Sequence, residues 1–458
     1  MSANNGIITY QNGAYQTSAV YYSPIASIAT TGQPLGTFYC FLSREKSWTT
    51  ETLPPAPTED QKYLKDTFKN MFVARKIYSN DMSPVIERID WTSGEVYDYY
   101  RDDVDMFARD TNGTILKRFY IKNRFDQVFK CLWNNNGGVV STEPYFEPGT
   151  FNANQIFQGA DDYKWKYMYT ITSGNKLKFM DDAWIPVPVA TRIPNAFSTF
   201  AGRGSIDVIN VTNGGSNYDP SNATITVTVT GDGQYATANA TVVSGSISDI
   251  VVANTGSNFT YANVSISSTL GSGATAIAPA SPIGGHGYDP VTELGVRHIM
   301  MTARFNKNES GKLPTDIDFR QIGILVNPYA YFGTITGLAN ADIYKTTTDF
   351  VVSQGFGAYT PDETVYQSPN GLLSSATYTA TVFSFDFGTN TLKLINTQGV
   401  ANNSALIYGA TTGTARVVVQ QQTPDFIPFS GYLTYLENRE PVQRNADGSE
   451  IFKLVLGY

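Results

Sequence analysis

The sequence predicts a mainly β protein: a layered antiparallel β-sandwich body with one or two helices, carrying two inserted small β modules. Three observations lead there. Short runs rich in Tyr, Phe, Trp, Val and Ile alternate with Gly, Asn and Pro turns along most of the chain, the pattern of paired antiparallel strands. The stretch Gly204–Ile283 has Asp207, Asp219, Asp232 and Asp249 as its only charged side chains and repeats itself. One run alone has clear helical spacing.

Residues 1–35 are polar and rich in Gly, Ser, Thr and Tyr, and read as an extended arm or edge strand. Phe38–Leu42 reads as a buried strand. Leu53-Pro54-Pro55-Ala56-Pro57 is a rigid connector. Thr58 then caps a helix, with Gln61 completing a capping box. Leu64, Phe68, Met71 and Phe72 follow at helical spacing, which carries the helix to about Val73–Ile77. Strands are expected at Phe119–Ile121, Gln127–Trp133 and Trp165–Ile171, with turns at Asn134–Gly138 and Ser173–Asn175.

In the repeat, Val211-Thr212-Asn213-Gly214-Gly215-Ser216-Asn217-Tyr218 returns as Val252-Ala253-Asn254-Thr255-Gly256-Ser257-Asn258-Phe259. A partial third copy begins at Gly284–Pro290. Thr224–Thr230 alternates hydroxyls with Ile and Val, which puts each on its own face of a strand. Self-similarity of this kind marks stacked or paired β units. Further on, His298–Phe305 and Ile322–Val326 are strands. Thr377–Phe387 and Thr391–Ile395 form a hairpin, Gly409–Gly413 and Arg416–Val419 suggest a further strand pair, and Tyr432–Leu436 with Ile451–Leu456 forms a closing hairpin. The domain organisation follows: a discontinuous body of residues 1–203, 284–339 and 426–458, a repeat module at 204–283, and a second small β module at 340–425.

Of the 458 residues, 16% are charged and 13% aromatic, against about 25% charged in an ordinary soluble protein. Such a chain buries much surface or offers it to partners, and Tyr suits both. The net charge of −8 argues against a nucleic-acid partner. The densest basic run, Lys117, Arg118, Lys122 and Arg124, reads as a solvated face. No apolar run reaches the ~20 residues of a spanning helix, so no membrane partner is expected, and no signal peptide is read at Met1–Gly6. Cys40 and Cys131 sit in apolar contexts and read as buried thiols.

Chemistry is sparse. His286 and His298 with the two cysteines give no metal-ligand spacing, and no cofactor motif is present. Asp102, Asp103, Asp105 and Asp110 do not match a calcium loop and read as a solvated acidic face. Glu143, Glu147, Asp161 and Asp162 could supply the paired carboxylates of a glycosidase, but no spacing selects a pair. A non-enzyme is the expectation.

Six stretches stand in order along the chain: Phe41–Trp48, the Pro-rich turn before the Thr58 helix, Val85–Trp91, Tyr163–Ile171, Phe319–Pro328 and Tyr435–Pro441. Together they resemble the dimer-forming baseplate wedge protein of contractile-tailed phages of the T4-like group. The resemblance covers roughly residues 36–200, 290–330 and 428–458, and leaves out Gly204–Ile283 and about 340–425. It implies a layered β fold with few helices, no catalysis, and a virion location in a six-fold tail baseplate. The partners it implies are a second copy of the chain and the other wedge proteins. Arg44, Trp48, Arg88, Trp91, Trp165, Arg320, Tyr435 and Arg439 stand in or beside these stretches as interface or core anchors, the tryptophans reading first as core. The alternative is a host receptor- or glycan-binding tail protein. It would use the inserts, with Tyr218, Tyr235, Phe259 and Tyr261 as stacking rings for a host surface glycan.

Overall fold

A computed structural model of the protein describes residues 6–8, 36–111, 113–147, 156–189, 204–332, 335–445 and 447–457. Apart from Gly6–Ile8, the expected arm at 1–35 lies outside them. The protein is mainly β, its strands forming several antiparallel sheets, with three helices among the described residues. The chain divides into two compact units, Met1–Met82 with Met301–Tyr458, and Ser83–Met300. Residues 1–203, 284–339 and 426–458 are therefore shared between both units.

In the first unit a six-stranded antiparallel sheet runs β1 (Gly6–Ile8), β27 (Tyr432–Arg444), β17 (Ile317–Val326), β2 (Phe38–Ser43), β3 (Met71–Ile77) and β20 (Ile343–Lys345). Every residue of β2 is buried, as expected of a strand covered on both faces. Helix α1 (Gln61–Asn70) lays Tyr63, Leu64 and Phe68 on a core that includes Tyr39, Phe41, Met71 and Leu436. Its cap is Asp60, not Thr58: Asp60 Oδ1 accepts from the Tyr63 amide at 2.8 Å, and Thr58 donates to the other carboxylate oxygen. A carboxylate at the positive helix end is the better acceptor. The helix also stops at Asn70, short of the expected Val73–Ile77. From Met71 the backbone is committed to β2, with Leu42 opposite Val73 and Phe38 opposite Ile77.

The stretch Thr348–Gln422 closes into a barrel, ordered β21 (Thr348–Val352), β24 (Thr391–Gly399), β23 (Tyr378–Asp386), β22 (Thr364–Gln367), β25 (Leu406–Gly409) and β26 (Ala415–Gln422). Phe350, Val382, Leu392, Leu394 and Val418 fill it. Closure removes the sheet edges. Strands β27 and β28 (Ser449–Gly457) are long, but they do not pair as the expected closing hairpin. β27 is bound along its length by β17, and β28 pairs with β16 (His298–Asn306).

In the second unit, β5 (Tyr120–Lys122), β6 (Gln127–Asn134), β8 (Tyr163–Thr170) and β7 (Ile156–Gln158) form one sheet in that order. Ser173-Gly174-Asn175, expected as a turn, opens helix α2 (Ser173–Phe179), because Thr172 caps it by accepting from the Asn175 amide and Phe179 anchors it in the core. The repeat forms a six-stranded sheet, β10 (Asn210–Ser216), β15 (Ser272–Ile277), β14 (Ala262–Ser268), β11 (Ile225–Gly231), β12 (Gln234–Val243) and β13 (Ser246–Ser257). The first strand of each copy pairs with the last strand of the other, and the two middle strands pair with each other. The two copies are thus related by a pseudo-twofold axis through β11 and β14. Tyr218 and Phe259 are equivalent buried rings. The third copy forms no strand: Asp289 caps the single turn α3 (Pro290–Glu293), whose Pro at the first position favours a helix start.

The symmetry makes Gly215 and Gly256 equivalent, with φ of 64° and 62°. A Cβ on Gly256 would lie 2.6 Å from Gln234 O and 2.7 Å from Ala236 N, both backbone atoms of the paired strand. Gly256→Ala is therefore expected to destabilise the protein by about 1–3 kcal/mol. Gly273→Ala, also at positive φ but with only Gly215 Cα nearby, should cost less. Equal unfolding midpoints for the two variants would refute this.

Candidate functional site

The anticipated anchors of the first unit form two networks. Arg44 Nη2 contacts Asp318 Oδ1 at 3.0 Å and Asp362 Oδ2 at 2.8 Å. The Arg320 fork takes both Glu51 oxygens at 3.1 and 3.0 Å and also reaches Asp318. It holds the exposed Glu51 carboxyl below its ordinary pKa. In the second network Trp48 Nε1 donates to the Arg439 carbonyl at 2.8 Å. Arg439 Nε and Tyr435 Oη both donate to Glu437, at 2.7 and 2.8 Å. Asn438 joins the same strand to the Pro-rich connector: it donates to Pro55 O at 2.9 Å, and its side-chain oxygen accepts from Gln321 Nε2 at 2.9 Å. These ties hold residues 45–60 against the sheet, and Asp318, Glu437 and Asn438 complete them. Only the position of Glu437 and Asn438 inside Tyr435–Pro441 hinted at their part.

The remaining anchors lie in the second unit. Trp165 is fully buried, stacked on Tyr163 with ring centroids 5.6 Å apart and edge-on to Tyr97 at 5.7 Å. Trp91 is half-buried. Arg88 is half-exposed on Asp90 and the Asp181 carbonyl, an arrangement worth only about 0–1 kcal/mol.

The chemistry most removed from water was not foreseen. Lys130, fully buried on β6, places Nζ 3.0 Å from Glu293 Oε2, 3.1 Å from His286 Nδ1 and 4.0 Å from the centroid of the Tyr100 ring. Glu293 Oε1 accepts from the Gly287 and Asp289 amides at 2.8 and 3.2 Å. Burial lowers the pKa of both Lys130 and His286, and the neighbouring ammonium lowers that of His286 further. With Lys130 donating, Nδ1 of a neutral His286 is the acceptor. Burial by itself would raise the Glu293 carboxyl, but the Lys130 ammonium and the Gly287 amide bring it down to about 2. A charge-paired centre of this kind fixes how α3 and the 284–289 turn meet β6.

Three of the four carboxylates that could have supplied a catalytic pair hold local structure instead. Asp161 accepts from the Ser141 and Thr142 amides, Glu143 from the Arg124 amide, and Glu147 from Tyr145 Oη. Asp102 accepts from the Ala280 amide, and Asp103 pairs with Arg101. The basic run is matched residue by residue: Lys117 with Asp98, Arg118 with Glu95, Lys122 with Asp90 and Asp126, Arg124 with Glu143. Among the described residues no group of three or more His, Cys, Asp or Glu could hold a metal ion, and no helix is long and apolar enough to cross a membrane. Cys40 and Cys131 are buried free thiols whose pKa values burial raises. Of the four rings considered for sugar stacking, Tyr235 and Tyr261 are exposed, whereas Tyr218 and Phe259 serve the repeat core.

One surface of the first unit is unusual. The hairpin of β18 (Tyr329–Phe332) and β19 (Ile335–Leu338) exposes Tyr329, Tyr331, Phe332, Ile335 and Leu338, each between 43% and 69%. By register Tyr329, Tyr331 and Leu338 share one face and Phe332 and Ile335 the other, where Ala330 is buried and bridges to Phe426. Backbone bonds from Tyr331 to Asp425 and from Ile427 to Tyr329 hold β18 in place. Strand β19 pairs only with β18 among the described residues. The outer strand is therefore an uncharged, apolar edge, which isolated soluble proteins ordinarily blunt.

Fold and site together define a mainly β protein of internally tethered sheets with one apolar strand edge. Searches of the chain against models of known protein families and against curated protein sequences return no match.

Proposed function

We propose that the chain is a structural, homodimeric subunit of a phage tail baseplate wedge, bridging neighbouring wedge proteins during assembly, and that it resides in the virion. The observation that carries this reading is the β18–β19 hairpin, whose exposed aromatic and aliphatic side chains and open edge continue directly from the Phe319–Pro328 stretch. Obligate interfaces bury about 2,000 Å² or more and are rich in apolar and aromatic groups. An edge of Ile335–Leu338 can pair with a second copy through backbone hydrogen bonds while the rings pack around it.

Analytical ultracentrifugation at micromolar concentration should give a dimer. Ile335→Lys should give a monomer with an unchanged melting temperature, because Ile335 contributes little to its own unit. Antibody labelling should find the chain in purified tails. A wild-type monomer absent from tails would overturn the reading.

A further inference from the structure

The geometry points to a binding pocket for a neutral saccharide unit in the second unit, formed where the β5–β6–β8–β7 sheet meets the ends of β10 and β13. This inference does not rest on the assembly reading. The floor of the pocket is set by strand register. Trp133 on β6 pairs with Lys164 on β8, and Lys164 pairs with Gln158 on β7, so the three stand in one row across three strands. The walls are turns. Asn135, Asn136 and Asp162 all have left-handed φ, between 49° and 61°, which lifts their side chains to the rim. The roof comes from the repeat: Val211–Gly214, at a β-bulge of β10, and Ser246–Asp249. The cavity measures about 190 Å³, more than tenfold the ~10–15 Å³ that holds one water.

The lining selects the ligand class. Lys164 is neutralised inside the pocket wall, with Nζ 2.8 Å from Asp249 Oδ1 and 3.4 Å from the Ile209 carbonyl. That pair fastens the floor to the roof and leaves the ammonium one N–H. The Asp162 carboxylate, the Gln158 amide and the Trp133 indole N–H make no hydrogen bond among the described residues. Asn136 spends one amide proton on Thr212 O at 3.4 Å and keeps its carbonyl oxygen. The free groups thus mix donors and acceptors and include one uncompensated negative charge. Sugar hydroxyls donate and accept at once, so they satisfy both kinds. Carboxylates and planar amides bind adjacent hydroxyls in pairs, and the bonds to a carboxylate are the stronger ones. A phosphate or an acidic sugar would meet Asp162 with like charge and find Lys164 already engaged.

Saturation-transfer NMR tests this with lactose, maltose and chitobiose as neutral probes, and 3′-sialyllactose and inorganic phosphate as anionic ones. At least one neutral probe should bind. Gln158→Ala and Asp162→Asn should each weaken it about tenfold. Both residues are exposed, and Asn tolerates the positive φ at 162, so each variant should keep the wild-type melting temperature. Sedimentation of the same samples should show the oligomeric state unchanged, which separates this result from the assembly reading. No neutral binding among the three probes, equal binding by both variants, or tighter binding of sialyllactose or phosphate would each overturn the assignment.

Discussion

Replacing Glu293 with alanine is expected to destabilise the protein by about 3–5 kcal/mol, the usual cost of stranding a buried charge. The variant leaves the fully buried Lys130 ammonium with only a neutral imidazole and the face of Tyr100. It also strands the amides of Gly287 and Asp289. The charge-free double variant Lys130→Met/Glu293→Leu should recover most of the loss, since a buried ion pair is often no better than well-packed apolar residues. The pH dependence carries the same signature. The folded-state pKa of Glu293 lies below its ordinary 4.5, at about 2. Its stabilisation is therefore complete above pH 4.5 and is lost as pH falls from 4.5 towards 2. That interval corresponds to about 3 kcal/mol at ~1.4 kcal/mol per pH unit. His286 is also lowered, from 6.5, and a buried neutral imidazole resists protonation. Its contribution is lost as pH falls below 6.5. Asp207, near the His286 amide, and Lys166, on the adjacent strand, share the field but oppose each other in sign. Urea midpoints should thus fall in two stages on acidification, and Glu293→Ala should flatten the lower stage. An unchanged acid limb in that variant would show that the centre is not what acid attacks.

The strands were legible in the sequence because their evidence is local. The alternation of Thr226, Thr228 and Thr230 with Ile225, Val227 and Val229 is the alternation of exposed and half-buried faces on β11. Phe38–Ser43 and Gln127–Asn134 are uninterrupted because both faces are covered. Failures came where a long-range partner overrode a local pattern. Met71 and Phe72 fit the helical period of Leu64 and Phe68, but pairing with β2 claimed them. Tyr432–Leu436 and Ile451–Leu456 read as a hairpin, yet β17 and β16 are stronger claimants on the strands that contain them than either is on the other. The site groups were hidden for the same reason. Lys130, His286 and Glu293 are brought together across 163 residues, and the row Trp133–Lys164–Gln158 exists only once the register is known. Arg44 and Arg320 were visible because each sits in a strongly patterned stretch. The more buried Arg416 and Arg444 lie in ordinary ones.

Arg416→Ala should therefore cost about 3–5 kcal/mol, far more than Arg88→Ala at about 0–1 kcal/mol. Arg416 is 2% exposed on β26 and has no carboxylate partner among the described residues. Its charge is instead solvated by the protein. Nη1 donates to Ser353 O at 3.1 Å and Asn390 Oδ1 at 2.9 Å, and Nη2 to Gly355 O at 3.0 Å and Gly357 O at 2.5 Å. The rings of Phe385 and Phe387 flank the guanidinium at 5.0 and 5.2 Å, within cation–π range. A planar fork of five donors suits four acceptors spread over two segments, the loop Ser353–Gly357 and Asn390. Lysine has three donors and no plane, so Arg416→Lys should recover little. Removing the fork leaves three carbonyls of the loop after β21 without their donor, at about 1–3 kcal/mol for each one that water cannot reach. The damage should stay local, because those carbonyls belong to Ser353–Gly357 and to no sheet ladder. Hydrogen exchange should show the amides of β21 and β26 losing protection, while those of the repeat sheet, in the other unit, keep theirs. If Arg416→Ala instead unfolds no more easily than Arg88→Ala, water reaches those carbonyls when the side chain is gone, and the barrel needs no internal charge to hold its loop.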